Sequence, residues 1–187
     1  MSALLVVSGL LALPVLWAVC IYNRLVRMRN DVKNAWSQVD VQLKRRYDLI
    51  PNLVAAVKGF MEHEKAVFQN VAEARSRAMV SENFREKAEA EEQLSGSLKG
   101  LLFVMEAYPA LRSNENVMQL QEELVSTENR IAFARQLYND LVANFRTRLE
   151  VFPDTIISSL FSFRPYEYFS AGKGDRDLPE ISMAGRD

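Results

Sequence analysis

Glu64 is the residue of this chain best placed to do chemistry. Counting the apolar seam around it as 57, 60, 64, 67, 71 or as 57, 61, 64, 68, 71 sets a carboxylate on a buried line either way. A buried charge is costly without partners, so the spacing predicts a polar layer. Equal counting from the helix ends brings Trp36, Ser97, Thr127 and Arg130 to the same level. The Trp36 indole N–H and the Ser97 or Thr127 hydroxyl would then face Glu64. Arg130 would be a charged alternative, and Gly96 would leave room for the Trp36 ring. Such a layer fixes helix register, which is the reading favoured here. The alternative is a ligand-sensing or catalytic carboxylate.

Little else in the sequence offers reactive chemistry. His63-Glu64 begins like the HExxH zinc motif, but Val67 stands where the second histidine belongs. His63 is the one histidine, which excludes multi-imidazole metal centres such as paired Glu-x-x-His sites. Cys20 is the one cysteine, so no disulfide forms within the chain. Nucleophile-elbow, P-loop and dinucleotide fingerprints are missing. A net charge of −1 creates no global field for nucleic acid. Lys44-Arg45-Arg46 reads as a basic helix C-terminus complementing the dipole, and Glu86 to Glu92 as a solvated face. The expectation is a chain with no catalytic residue, no metal ligand, no cofactor and no nucleic-acid partner.

The elements that would position these groups begin with one uncharged run. It reads Ala3-Leu4-Leu5-Val6-Val7-Ser8-Gly9-Leu10-Leu11-Ala12-Leu13-Pro14-Val15-Leu16-Trp17-Ala18-Val19-Cys20-Ile21-Tyr22. At about 1.5 Å per residue it matches the roughly 30 Å core of a bilayer. A cleaved signal wants a basic start and a small-x-small site, and a lipoprotein would modify Cys20 after the bulky Val19. A retained single-pass anchor fits better than either. Trp17 and Tyr22 lie toward its far end, where amphipathic rings favour the headgroup layer. Arg24, Arg27 and Arg29 follow, whereas Met1-Ser2 carries no charged side chain. The positive-inside rule then puts the N-terminus outside and the rest in the cytoplasm.

The remaining ~165 residues suit one domain with a real core. Apolar spacing predicts four helices. The first continues from the anchor through Leu25, Val32, Val39 and Leu43 and ends at Pro51. The second runs from Asn52 to Val80. The third follows a cap at Ser81 or Asn83 and stops at Pro109, and the fourth follows Ser113 or Asn114 and closes at Pro153. Short connections between amphipathic helices predict an all-α, up-down-up-down antiparallel four-helix bundle over 23–169. A helical hairpin extended by a dimeric coiled coil is the structural rival. The Phe- and Tyr-rich stretch 156–169 should pack on the bundle, with 170–187 a flexible tail.

Several segments resemble the LemA family: Arg45 to Glu64 (RRYDLIPNLVAAVKGFMEHE), Ala72 to Ala78 (AEARSRA), Tyr108 to Asn139, Phe152-Pro153 and Tyr168-Phe169. Phe145-Arg146 and the tail, apart from Arg176, Pro179 and Ile181, depart from it. The resemblance implies a bacterial membrane-anchored protein with a soluble helical bundle and no catalytic residues to carry over; with the positive-inside argument, the expected location is the inner membrane with the bundle cytoplasmic. The resemblance also implies work in membrane organisation or quality control. The function expected is a membrane-anchored, non-enzymatic scaffold for unknown protein partners, a membrane protease or a second copy of the chain among them. A sensor or enzyme at Glu64 and a membrane-organising oligomer are the alternatives.

Overall fold

Apolar residues at alternating steps of three and four, with no glycine between Gly9 and Gly59, favour one uninterrupted helix. The computed structural model describes the backbone of residues 2–169, with side chains from residue 13 onward, and contains that helix as α1, Ser2–Val57. It is followed by α2 (Lys65–Val80), α3 (Phe84–Met105), α4 (Pro109–Arg112), α5 (Glu115–Glu150) and α6 (Asp154–Leu160). The all-α expectation holds: among the described residues there is no strand. The predicted tail, 170–187, and the side chains of 3–12 lie outside the described residues. Among the described residues no helix is long and apolar enough to cross a membrane. From residue 13 on, Leu13, Val15, Leu16, Trp17 and Val19 are exposed, and so is Cys20.

Pro51 does not end the first helix. A proline inside a helix lacks the N–H that would bond the carbonyl four residues earlier, here that of Tyr47. Arg75 of α2 supplies the missing donor, its Nε reaching the Tyr47 oxygen at 2.9 Å. The apolar stripe meanwhile continues in phase through Ile50, Leu53 and Val57, all buried. The break comes instead at 58–64, around Gly59, where Phe60 N bonds Val57 O and Glu64 N bonds Met61 O. Helix two is therefore shorter than expected and starts at Lys65.

The other punctuation follows local chemistry. Asn83 caps α3 by accepting from Arg85 N at 3.0 Å, and Asn114 caps α5 by accepting from Val117 N at 3.2 Å. Pro109 opens the one-turn α4, having no N–H to waste at a first helical position.

The chain forms two units. The first comprises residues 1–44 and 129–168. Its core comes from Leu25, Val32, Ala35, Val39 and Leu43 of α1 and from Ile131, Tyr138, Val142, Phe145 and Leu149 of α5. Trp36 meets Tyr138 edge to face at 5.5 Å, and Phe145 packs on Phe163 and Tyr166 of the C-terminal segment. The Tyr138 hydroxyl donates to Glu167 O at 2.9 Å. Burial first, then the nearby Tyr166 and Glu167, pushes its pKa up to about 12.

Among the described residues the second unit comprises 45–128 and Phe169. Here the end of α1, all of α2, α3 and α4, and the start of α5 contribute buried residues, Leu53, Val71, Leu98, Leu111 and Leu124 among them. The Ser81-Glu82-Asn83 turn returns α3 along α2. Buried Phe169 stacks on Phe84 at 5.4 Å. α2 and α3, of 16 and 22 residues, belong wholly to this unit.

Arg75→Ala should lower stability by about 1–3 kcal/mol, because it orphans the Tyr47 carbonyl. In a Pro51→Ala background the helix supplies its own donor, so the same change should cost markedly less. A double-mutant cycle from urea midpoints measures the difference.

Candidate functional site

Arginine is rarely buried without a partner, and Arg46 is 1% exposed. It occupies the α1 seam between Leu43 and Ile50. Its Nη2 donates to Oε2 of Glu91, on α3 and also 1% exposed. Nη1 reaches Ser95 Oγ at 2.8 Å and Glu128 Oε1 of α5 at 2.7 Å, and Ser95 Oγ donates to Glu128 Oε2 at 3.1 Å. The Tyr47 hydroxyl donates to the other Glu91 oxygen and lies 3.3 Å from Ala78 O of α2. All four long helices therefore meet in one polar cluster of the second unit.

Each carboxylate here is held by donors that leave it no free role. Glu91 is divided between a guanidinium and a phenol; Glu128, at the rim, is divided between Arg46 and Ser95. Arg46 Nε has no protein acceptor. One guanidinium stands between two carboxylates, and a buried ion pair such as Arg46–Glu91 is strongly destabilising to break from one side. What the cluster can do is fix the register of α1 against α3 and α5.

The seam position expected for Glu64 needs correction. Because α1 ends at Val57, Glu64 stands at the N-cap of α2 rather than three turns inside a helix, and it caps nothing with its side chain. Half-buried, it accepts from the Tyr108 hydroxyl at 3.0 Å. That hydrogen bond, then burial and the carboxylate charge, raises the Tyr108 pKa above its ordinary value. Ser97 bonds back to Gln93 O at 3.0 Å, and buried Thr127 bonds back to Glu123 O at 2.7 Å. Trp36 and Arg130 belong to the first unit. A Cβ at Gly96 would meet nothing within 4 Å, so Gly96 makes no space for a ring.

Arg46 and Glu91 correct two further readings, since neither is a solvated charge. The signal was present. Steps of four, three, four and three run 39, 43, 46, 50, 53 and include Arg46, and steps of three and four run 91, 94, 98, 101, 105 and include Glu91. Residue type outweighed phase in the sequence reading.

His63 is exposed, and among the described residues no group of three His, Cys, Asp or Glu could hold a metal ion. The first unit carries a groove of about 450 Å³ lined by Ser37, Gln38, Val41 and Gln42 of α1 and Arg130, Phe133, Ala134 and Leu137 of α5. Val41 and Phe133 are 62% and 73% exposed there.

The sequence model of the LemA family matches residues 35–183. The chain is 25% identical to magnetosome protein MamQ 2 of Paramagnetospirillum magneticum over 187 aligned residues, covering 86% of this chain and 68% of that protein. Magnetosome protein MamQ of Magnetospirillum gryphiswaldense is equally similar, at 25% with the same coverage. Protein LemA of Metamycoplasma hominis is 21% identical over 155 residues, covering 82% of this chain and 71% of that one.

Arg46→Met alone should destabilise by roughly 3–5 kcal/mol, leaving Glu91 buried and unpaired. Adding Glu91→Leu should recover most of that loss. Thermal melts of the two variants give the comparison, and a double variant no better than the single one would contradict the pairing.

Proposed function

The chain belongs to the LemA family, and on that premise we propose that it is a membrane-anchored, non-enzymatic helical scaffold that holds a protein partner at the inner membrane surface. One observation carries the reading. The buried Arg46 and Glu91 are paired with one another, whereas Val41, Phe133 and Leu137 leave apolar side chain open to solvent around a groove of the first unit. A surface of that kind suits binding rather than turnover.

The anchor reading is supported by the uncharged run 3–22, by unbroken helical backbone across it, and by the exposed Leu13, Val15, Leu16, Trp17 and Val19. Arg24, Arg27 and Arg29 favour a cytoplasmic body with the N-terminus outside. Full-length protein should stay in the membrane pellet through a carbonate wash and keep its native N-terminus, and deletion of residues 1–22 should release it. A photo-crosslinker at Phe133 should capture a protein. A released mature product without its opening segment would overturn the anchor; a silent crosslinker would overturn the scaffold.

Self-association is the second reading, favoured by a stripe on α5. Arg130, Phe133, Leu137 and Asp140 fall at steps of three, four and three and are all exposed. An antiparallel two-fold pairing of α5 centred between Phe133 and Leu137 sets Arg130 against the second copy's Asp140, and Phe133 against its Leu137. Arg130→Asp or Asp140→Arg alone should weaken a dimer about tenfold or more by opposing like charges. Combining them should restore it, as read by sedimentation in detergent. A wild-type monomer, or a double variant that stays apart, would count against self-pairing.

A further inference from the structure

The chain from Phe152 to Phe161 is short, and it leaves an unusual amount of apolar side chain uncovered. The helix α6 inside it buries Asp154, Ile157 and Ser158 and exposes Ile156 (54%) and Leu160 (72%), four residues apart on one face. Phe152 (78%) and Phe161 (54%) flank it. A soluble surface rarely groups large apolar residues so closely without something to cover them.

The position of this segment along α1 identifies the cover. Trp36 meets Tyr138, and farther along, Tyr22 meets Phe161 at 4.6 Å and Phe163 at 5.8 Å. α1 and α5 therefore run antiparallel in this unit, and α6 arrives beside Tyr22. Tyr22 is the last residue of the uncharged run, with exposed Arg24 and Arg27 directly after it. A ring stacked on Tyr22 sits at the depth where a spanning helix leaves the hydrocarbon for the headgroups.

The segment is also held rather than loose. Ser158 Oγ donates to Leu149 O at 3.1 Å, tying α6 to the end of α5, and Arg148 lies 3.5 Å from the buried Asp154. Ser162, in the left-handed region at φ 54°, closes α6. The Phe163 N–H then bonds Ser158 O at 2.9 Å, and Arg29 covers the Phe163 ring at 5.5 Å.

We propose that α6 with Phe152 and Phe161 lies on the bilayer surface as a second, peripheral membrane contact. Ile156, Leu160 and the two phenylalanines would enter the headgroup–acyl boundary. The exposed Arg24, Arg27 and Arg164 would face anionic headgroups. The occupant is lipid because the patch is continuous, through Tyr22, with the run that enters the membrane. Two contacts would fix the tilt of the body, where a lone helix would leave it free to swing. This inference rests on the reading of residues 3–22 as an anchor.

The test uses full-length protein, Cys20→Ser, in vesicles of phosphatidylethanolamine and phosphatidylglycerol. An NBD fluorophore is attached to a single cysteine introduced by Leu160→Cys, Phe152→Cys, Leu13→Cys or Gln38→Cys in turn. Leu160 and Phe152 probes should be blue-shifted and lose at least half their emission to lipids carrying a doxyl group near the headgroup. The Leu13 probe should respond to a deep doxyl group, and the Gln38 probe to neither. Quenching at Leu13 without quenching at Leu160 and Phe152 overturns the α6 contact and leaves the anchor standing. A blue-shifted Leu160 probe that lipid does not quench also overturns it, in favour of a protein cover. A Leu13 probe deaf to lipid overturns the anchor, and α6 with it.

Discussion

Arg46 cannot be buried alone, and most of the second unit can be understood from that constraint. A guanidinium removed from water demands carboxylates, and those carboxylates come from Glu91 of α3 and Glu128 of α5, with Ser95 and the Tyr47 phenol completing the hydrogen bonds. Ala78 O brings α2 into the same cluster. Apolar side chains are non-directional and would tolerate a slip of one helix past another by a turn. The ion pairs would not, since a slip would strand a charge. Leu43, Ile50, Leu94 and Leu98 supply the bulk of the burial nearby; the polar cluster selects one alignment among those they would accept.

Pro51 belongs to the same economy of donors and acceptors. The Tyr47 residue next to Arg46 has its phenol committed to Glu91 and its carbonyl to Arg75. The proline that would end an ordinary helix is thus accommodated where a neighbouring helix can replace the lost N–H. Its cost is met by tertiary packing, so helix α1 continues to Val57 and carries Leu53 and Val57 into the core.

Both units keep large apolar side chains in solvent: Phe133, Phe152, Ile156 and Leu160 in the first, with Leu13, Val15 and Leu16 along its opening turns, and Val80 and Phe103 in the second. The buried Arg46–Glu91 pair belongs to the second. The LemA family model spans both units, matching residues 35–183.

Local pattern determined the helical class, narrowed the caps to Ser81 or Asn83 and Ser113 or Asn114, and gave most of the buried stripes of α1, α3 and α5, because each depends on neighbours three or four residues away along one chain. Family membership was equally legible in the segments from Arg45 to Glu64 and from Tyr108 to Asn139. Only the tertiary structure decided that Pro51 is tolerated, since the donor that rescues Tyr47 comes from residue 75. Only it moved the buried charge from Glu64 to Arg46 and Glu91, since helix phase marks a seam position without saying which partner completes it. And only it brought Phe161 to Tyr22, a meeting of residues far apart in sequence that no local pattern encodes.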